Sequence, residues 1–388
     1  MADNKVIRET PFFLKEINEQ PKALANTLAQ YLGPNLQLKM NRPPLDDLNL
    51  KKITKAYFTA CGTSYHAALT ARYMVEELAR IPAIVEPASE CGRHYQLIDE
   101  NTLAVAISQS GRSRETLTSL QLAASKGAST LAVVNECPSP LTLAAQGSLT
   151  TLAGRVNSLS STKAFTCQSL ILGLLGLRLA QIRGADREQW RQAFDKLSRL
   201  PELVRHALSV EEKIENVASK LINYSHCFIL ARGRMLPMAC EGALKLKEVA
   251  RIHAEGSFIG EFGHGPLALV SSQTPIIVIA FADEIEPTDL ALAFEFKARN
   301  VPVFLITENG PNQENALAAL ADEVLTVPAA PFRLRPIVTV IPLQFLAYHL
   351  GRLKGLDADR PGGLISPETY SDLKAQSLNS PTGSNLQS

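Results

Sequence analysis

The spacing of buried strands constrains this chain most. Short, nearly unbroken apolar runs recur at Lys55–Ala60, Ala83–Pro87, Leu103–Ile107 and Ser129–Val134, and helical spacing fills His66–Ala79 and Glu115–Lys126 between them. A strand apolar on both sides needs both faces of its sheet covered, and a helix joining two such strands makes a right-handed β-α-β unit. A doubly wound parallel sheet flanked by helices is therefore predicted.

The same plan then returns. Phe228–Gly233 leading into Met238–Glu248 repeats the passage from Phe58–Gly62 into the helix that follows it, and Pro275–Ala280, Asp289–Arg299 and Pro302–Ile306 repeat Leu103–Ile107, Glu115–Lys126 and Thr130–Val134. The predicted fold class is α/β, with two tandem copies of one domain. Around the copies, Thr10–Leu32 reads as a helix pair broken at Pro21. Ser161–Val217 reads as a helical region with amphipathic stretches at Arg187–Leu197 and Val204–Leu221, and Pro342–Leu353 as a further helix. From Asp357 the chain is rich in Pro, Gly and Ser and reads as a surface tail. The predicted boundaries are 1–40 for the N-terminal helices, 41–185 and 221–355 for the two domains, 186–220 for connecting helices and 356–388 for the tail.

Composition excludes several functions. The 39 Lys+Arg nearly balance the 38 Asp+Glu, with no basic stripe, so no nucleic-acid partner is expected. Met1–Lys5 lacks the apolar core of a signal peptide, and the greasy run Leu170–Leu177 is too short for a bilayer, so a cytoplasmic protein without a membrane partner is expected. The six cysteines have no Cys-x-x-Cys or zinc-type spacing and read as reduced thiols, mostly buried.

The chemistry is concentrated in loops. Ser108-Gln-Ser-Gly-Arg-Ser113 joins a buried strand to a helix, and Cys61-Gly-Thr-Ser64 does the same after the preceding central strand. In an open parallel sheet such turns face the ligand crevice, where free N–H groups and the helix dipole favour an anion. The hydroxyls and amide of Thr63, Ser64, Ser108, Gln109, Ser110 and Ser113 thus suit a phosphate or other tetrahedral oxyanion; plain helix capping is the competing reading. Ser160-Ser161-Thr162, at the head of another helical run, is a candidate third wall.

A second chemistry lies in Glu241–Glu248. Glu241, Lys245 and Glu248 share one helix face, which a solvated ion-paired surface would equally explain. His264 stands between Gly263 and Gly265 before Pro266, a backbone ill suited to core packing, whereas His206, His226 and His349 read as ordinary surface or core residues. A carboxylate and a histidine beside a sugar-sized anion suit proton transfer between adjacent carbons.

The segments "ACGTSYHA" (60–67), "ISQSG" (107–111), "SSTKAF" (160–165), "EGALKLKE" (241–248) and "FGHGPLAL" (262–269) resemble the sugar isomerase (SIS) domain family. Within it they resemble the isomerase half of the glutamine-fructose-6-phosphate aminotransferases, as do "EINEQPKALANTL" (16–28) and "PLQFLAYHLGRLKGLDADRP" (342–361). The resemblance implies two SIS domains and no metal or organic cofactor. It implies sugar-phosphate contacts from Thr63, Ser64, Ser108, Gln109 and Ser110, with Ser113 and Ser161 as further substrate contacts. Glu248 is implied as the carboxylate moving a proton between C1 and C2, and Lys245 as a group that positions substrate. His264 is implied as the ring-opening residue, contributed across the interface of a homodimer.

Three departures from the family pattern bear on the reaction. The chain begins at the helices before the first copy, so glutamine-dependent amination is not expected. Ser366 stands near the place of a Schiff-base lysine, and Arg155 near that of a glutamate, where it is a candidate to recognise an anion or a hydroxyl pattern. The readings that follow are an aldose–ketose isomerase or isomerising amino-sugar-6-phosphate deaminase, an isomerase of a sulfonated sugar or a fructosamine-6-phosphate deglycase, and a sugar-phosphate sensor.

Overall fold

A computed structural model describes residues 10–33, 48, 50–93, 95–309, 316–331 and 333–365. Ser366 and the tail beyond it lie outside the described residues, as do residues 34–47.

The first half builds β1 (Lys55–Ala60), α2 (Gly62–Ala79), β2 (Ala83–Pro87), β3 (Thr102–Ser108), α3 (Arg114–Ser125), β4 (Ser129–Val134), the short α4 (Pro140–Ala144) and β5 (Gly147–Thr150), following α1 (Phe12–Tyr31). Its strands form a parallel sheet in the order β2-β1-β3-β4-β5, with Ala60 level with both Pro87 and Ile107. After α5 (Lys163–Ile182), α6 (Arg187–Ser198), α7 (Leu200–Ala207) and α8 (Glu211–Leu221), the second half builds β6 (His226–Ala231), α9 (Leu236–Ala250), β7 (His253–Phe258), β8 (Ile276–Ile279), α10 (Pro287–Ala298), β9 (Val303–Asn309), β10 (Glu323–Pro328) and α11 (Arg335–Leu353). Its sheet runs β10-β9-β8-β6-β7, which is the first order read from the other edge. Gly62 and Gly233 turn their strands into helices at the same φ of 53°, so the repeat extends to the backbone of the key turn. The fold is α/β with two parallel five-stranded sheets.

Three sequence expectations need correction. Pro21 does not break a helix pair: α1 is one helix, and the side-chain amide of Gln20 donates at 2.9 Å to the Ile17 carbonyl that Pro21 has no N–H to reach. Pro342 likewise sits inside α11, which starts at Arg335 and is buried along nearly its whole length, so packing outweighs the local cost. The amphipathic stretch Val204–Leu221 is divided into α7 and α8 by a single 3-10 turn at Leu208–Val210. The edge strands β5, β7 and β10 had no clear signal, being short or polar.

A single large core joins the inner faces of both sheets to α1, α5 and α11. Among the described residues α5 is the one helix long and apolar enough to cross a membrane, but 83% of its apolar window is buried within the fold, so it is a core helix. Each buried Leu or Ile along it contributes about 1.5–3 kcal/mol. Because β1 and β6 occupy equivalent places, the helices that follow them, α2 and α9, pack against one another where the two domains meet.

Candidate active site

The order β2-β1-β3 makes the gap between the ends of β1 and β3 the switch point of the first sheet, where the chain leaves in opposite directions and a ligand crevice opens. Gly62 (φ 53°) and Gly111 (φ 65°) turn the two loops there. Ser108 is buried, and its Oγ accepts from the Gly111 N–H at 3.1 Å; Ser110 Oγ accepts from the Arg112 N–H at 3.3 Å. Ser113 Oγ accepts from Thr116 Oγ1 at 2.9 Å, while the Gln109 amide donates to Glu136 at 3.1 Å. Used as acceptors inside the loop, the three serines keep their own protons for an outside acceptor. Plain capping does not describe these helices: Cys61, Ser113 and Thr162, the residues heading α2, α3 and α5, make no side-chain capping bond. None of the three helix heads is closed by the side chain of its own cap residue, an arrangement that suits an anion.

The Glu241–Glu248 face of α9 is not the solvated ion-paired surface that its spacing equally allowed. Glu241 and Lys245 are fully buried against α2 and the approach to α5. Glu241 accepts from Thr63 Oγ1 at 3.1 Å, pairs with His66 Nδ1 at 2.7 Å and lies 3.6 Å from the Lys245 ammonium. Lys245 donates to Glu248 Oε2 at 2.5 Å and to Ser160 Oγ at 3.0 Å, and Ser160 Oγ donates to the same Glu248 oxygen at 2.5 Å. Burial alone pushes the Lys245 ammonium down, but Glu248 and Glu241 outweigh it and hold its pKa above the ordinary lysine value. A buried cation between two carboxylates resists loss of either one, since breaking such a pair leaves an unpaired buried charge costing about 3–5 kcal/mol. Glu248 is the partly open end of this chain, its side chain 16% exposed.

The structure therefore joins Thr63, Lys245 and Glu248 in one network, which meets the hydroxyl loops at the head of α2. Cys61 at that head lies 3.8 Å from the hydroxyls of Ser113 and Thr116, bringing the two loops together. Ser64 lies beside Thr63 in the first turn of α2, partly exposed. At the third wall Ser160, rather than Ser161, makes the bonds to Glu248 and Lys245; Ser161 is partly exposed at the same loop. Arg155 is exposed, and its side chain bonds to none of these residues; its carbonyl accepts from Lys163 Nζ at 2.7 Å. It borders an open cleft with Phe12, Asn157 and Asp359.

His264 stands apart. It ends the 3-10 segment Ile259–His264, exposed to solvent, and Phe262 in that segment packs with Phe228 and Phe296 in the core on the other face of the second sheet from α9. Within one chain nothing among the described residues links it to Glu248. His66 carries no sequence signal of its own, and Glu241 and Ser160 enter the sequence reading only through a shared helix face and a third wall, although Thr63 and His66 are a helical turn apart and Glu241 and Lys245 likewise.

The second copy fills its equivalent crevice with charge. Arg232, after β6, binds the buried Asp289 at 2.5 Å, and Arg335 reaches Asp283 and Glu308 at 2.8 Å each. Where the first copy offers hydroxyls, the second is closed by ion pairs. A separate cavity of 690 Å³ lies near the C-terminal ends of α2 and α5, lined by Arg80, Arg183, Lys196 and Arg333, with no member of the network on its walls. The site is thus defined by its chemistry, not by volume. Among the described residues no group of three His, Cys, Asp or Glu is placed to hold a metal. All six cysteines are free; Cys167 and Cys227 alone are buried, their thiols pushed up to about 12, so the expectation of mostly buried thiols fails. The other four lie on loops or half-covered helix positions, where no core demands a thiol.

The SIS domain model matches residues 49–178 and 220–351. With one match per sheet, the chain belongs to the SIS domain family. A glutamine–fructose-6-phosphate aminotransferase of Zymomonas mobilis is 39% identical over 360 residues, 92% of this chain, and the chain spans 58% of that relative's length. The C-terminal domain of glucosamine-fructose-6-phosphate aminotransferase from Francisella tularensis is 33% identical, with a TM-score of 0.83 over 91% of this chain and 99% of that domain. A glucosamine-6-phosphate deaminase of Thermotoga maritima shares the fold, with a TM-score of 0.69 at 23% identity over 91% of this chain and 98% of that one.

Proposed function

We propose that this chain is an enzyme that transfers a proton between C1 and C2 of a hexose 6-phosphate, as an aldose–ketose isomerase or as an isomerising amino-sugar-6-phosphate deaminase. The observation that carries this reading is Glu248: partly open, anchored through Oε2 by Lys245 and Ser160, and linked through Lys245, Glu241 and Thr63 to the anion-suited helix heads. The phosphate rests on the loops carrying Thr63, Ser64, Ser108, Gln109, Ser110 and Ser113, with Ser161 alongside. This holds C1 and C2 toward Glu248, whose free oxygen takes a proton from one carbon and returns it to the other through an enediol. The nearby Lys245 ammonium offsets negative charge that builds on the sugar oxygens. Arg155 is assigned to recognition at the outer rim of the site.

In this reading His264 opens the sugar ring and comes from a second copy of the chain, because it is exposed and the segment that carries it packs through Phe262 into the core away from α9. Free thiols at all six cysteines support a cytoplasmic setting.

The test is proton NMR in heavy water with glucosamine 6-phosphate, fructose 6-phosphate and a sulfonated hexose in turn, assaying ammonia in parallel. Release of ammonia together with fructose 6-phosphate from glucosamine 6-phosphate defines the deaminase, and aldose–ketose interconversion without ammonia defines the isomerase. Exchange on the sulfonated sugar alone moves the anion from phosphate to sulfonate. Silence on all three contradicts the proposal.

A further inference from the structure

We propose that Ser160 is a positioning residue that decides which oxygen of Glu248 acts as the base; this rests on the function proposed above. Ser160 is fully buried and its hydroxyl has two partners. It accepts from the Lys245 ammonium at 3.0 Å and donates to Glu248 Oε2 at 2.5 Å. Lys245 donates to the same oxygen at 2.5 Å. Two donors thus converge on Oε2, and none among the described residues reaches Oε1. A carboxylate held in this way cannot rotate without breaking both bonds, so Oε1 stays presented to the open side and Oε2 stays engaged.

Lys245 alone does not give that selection. Its ammonium also lies 3.6 Å from Glu241 Oε1, so it has a second carboxylate to turn to. Ser160 closes a ring of three hydrogen bonds that keeps the ammonium on the Glu248 side, and a hydroxyl suits the place because it can donate and accept at once.

The loop that delivers Ser160 is fixed independently of its side chain. Glu16 Oε1 accepts from the Asn157 and Ser158 N–H groups at 2.6 and 3.4 Å, the Asp359 carbonyl accepts from the Leu159 N–H at 3.1 Å, and Lys163 holds the Arg155 carbonyl at 2.7 Å. The backbone around Ser160 is therefore clamped from α1, from the chain after α11 and from α5. Loss of the hydroxyl leaves those clamps in place.

The test compares kcat and KM for C2-proton exchange in the wild type, Ser160→Ala and Ser160→Thr, on whichever hexose phosphate the wild type exchanges. Ser160→Ala should lower kcat by roughly tenfold or more with KM changed by less than about threefold, because the loss falls on the base and not on the anion loops. Ser160→Thr, which keeps the hydroxyl, should recover most of that loss. If Ser160→Ala does not fold, Ser160→Cys, of similar shape with a weak donor, is read in its place and should fall in the same direction. A kcat within about twofold of wild type, or a loss confined to KM, would overturn the role of Ser160 while leaving the function standing. A wild type silent on every sugar overturns the function and this role together.

Discussion

At the scale of the residue, the serines of the Ser108–Ser113 loop and Ser160 use their hydroxyls differently. Ser108 and Ser110 fold their own loop as acceptors, so their protons are the part available to a ligand. Replacing both with Ala should weaken binding of the anionic sugar roughly tenfold or more, as expected for lost bonds to a charged group. Turnover of bound substrate should change much less. Calorimetry checks this, and unchanged affinity would leave these serines a structural role alone. Glu16 makes a different prediction. Burial raises its pKa above the ordinary carboxylate value of 4.5, against the Asn157 N–H and Lys163, which pull it down. The folded state therefore holds this proton to higher pH than the unfolded state. The stability it contributes is fully present below about 4.5 and is lost as pH rises through the folded value. Thermal melts across this range should show Glu16→Gln gaining on the wild type as pH rises toward neutral. A difference constant with pH would contradict that account.

At the scale of the element, α9 is the critical piece, since it carries Glu241, Lys245 and Glu248 across the domain junction. Its position depends on Gly256 in β7: a Cβ there would lie 2.5 Å from backbone atoms of Ala239 and Cys240 in α9. Gly256→Ala should cost about 1–3 kcal/mol through overpacking and lower activity as the helix shifts. Denaturant midpoints check the first effect and sugar turnover the second, and wild-type values for both would contradict this view of the junction. The central strands of both sheets were legible in the sequence because each is apolar on both faces and short. The edge strands β5, β7 and β10 were not, being short or polar, whereas the edge strand β2 was, because its run is mostly apolar. Pro21 misled for a specific reason: its missing N–H is replaced by the Gln20 side chain, a substitution that no propensity reports. The hydroxyl loops were legible because the turn from strand to helix is local.

At the scale of the whole molecule, two copies of one fold have diverged into different tasks. The first keeps an open switch point lined with hydroxyls, and the second seals its own with Arg232, Arg335 and their carboxylates while turning α9 toward its neighbour. This explains why the links from His66 and Thr63 to Glu241, and from Ser160 to Glu248, escaped sequence reasoning. They join residues far apart in the chain, and nothing local states that α2 and α9 pack together. His264 is exposed and bonded to no member of the network among the described residues. Mixing Glu248→Gln with His264→Ala, each inactive alone, should restore up to about a quarter of wild-type activity if two copies share their sites, and nothing if they do not. The most direct measurement of the central claim is the rate of C2-proton exchange with solvent in Glu248→Gln against the wild type, on a hexose phosphate that both bind. Exchange should be abolished in Glu248→Gln while affinity is largely retained. Full exchange in Glu248→Gln would contradict the claim.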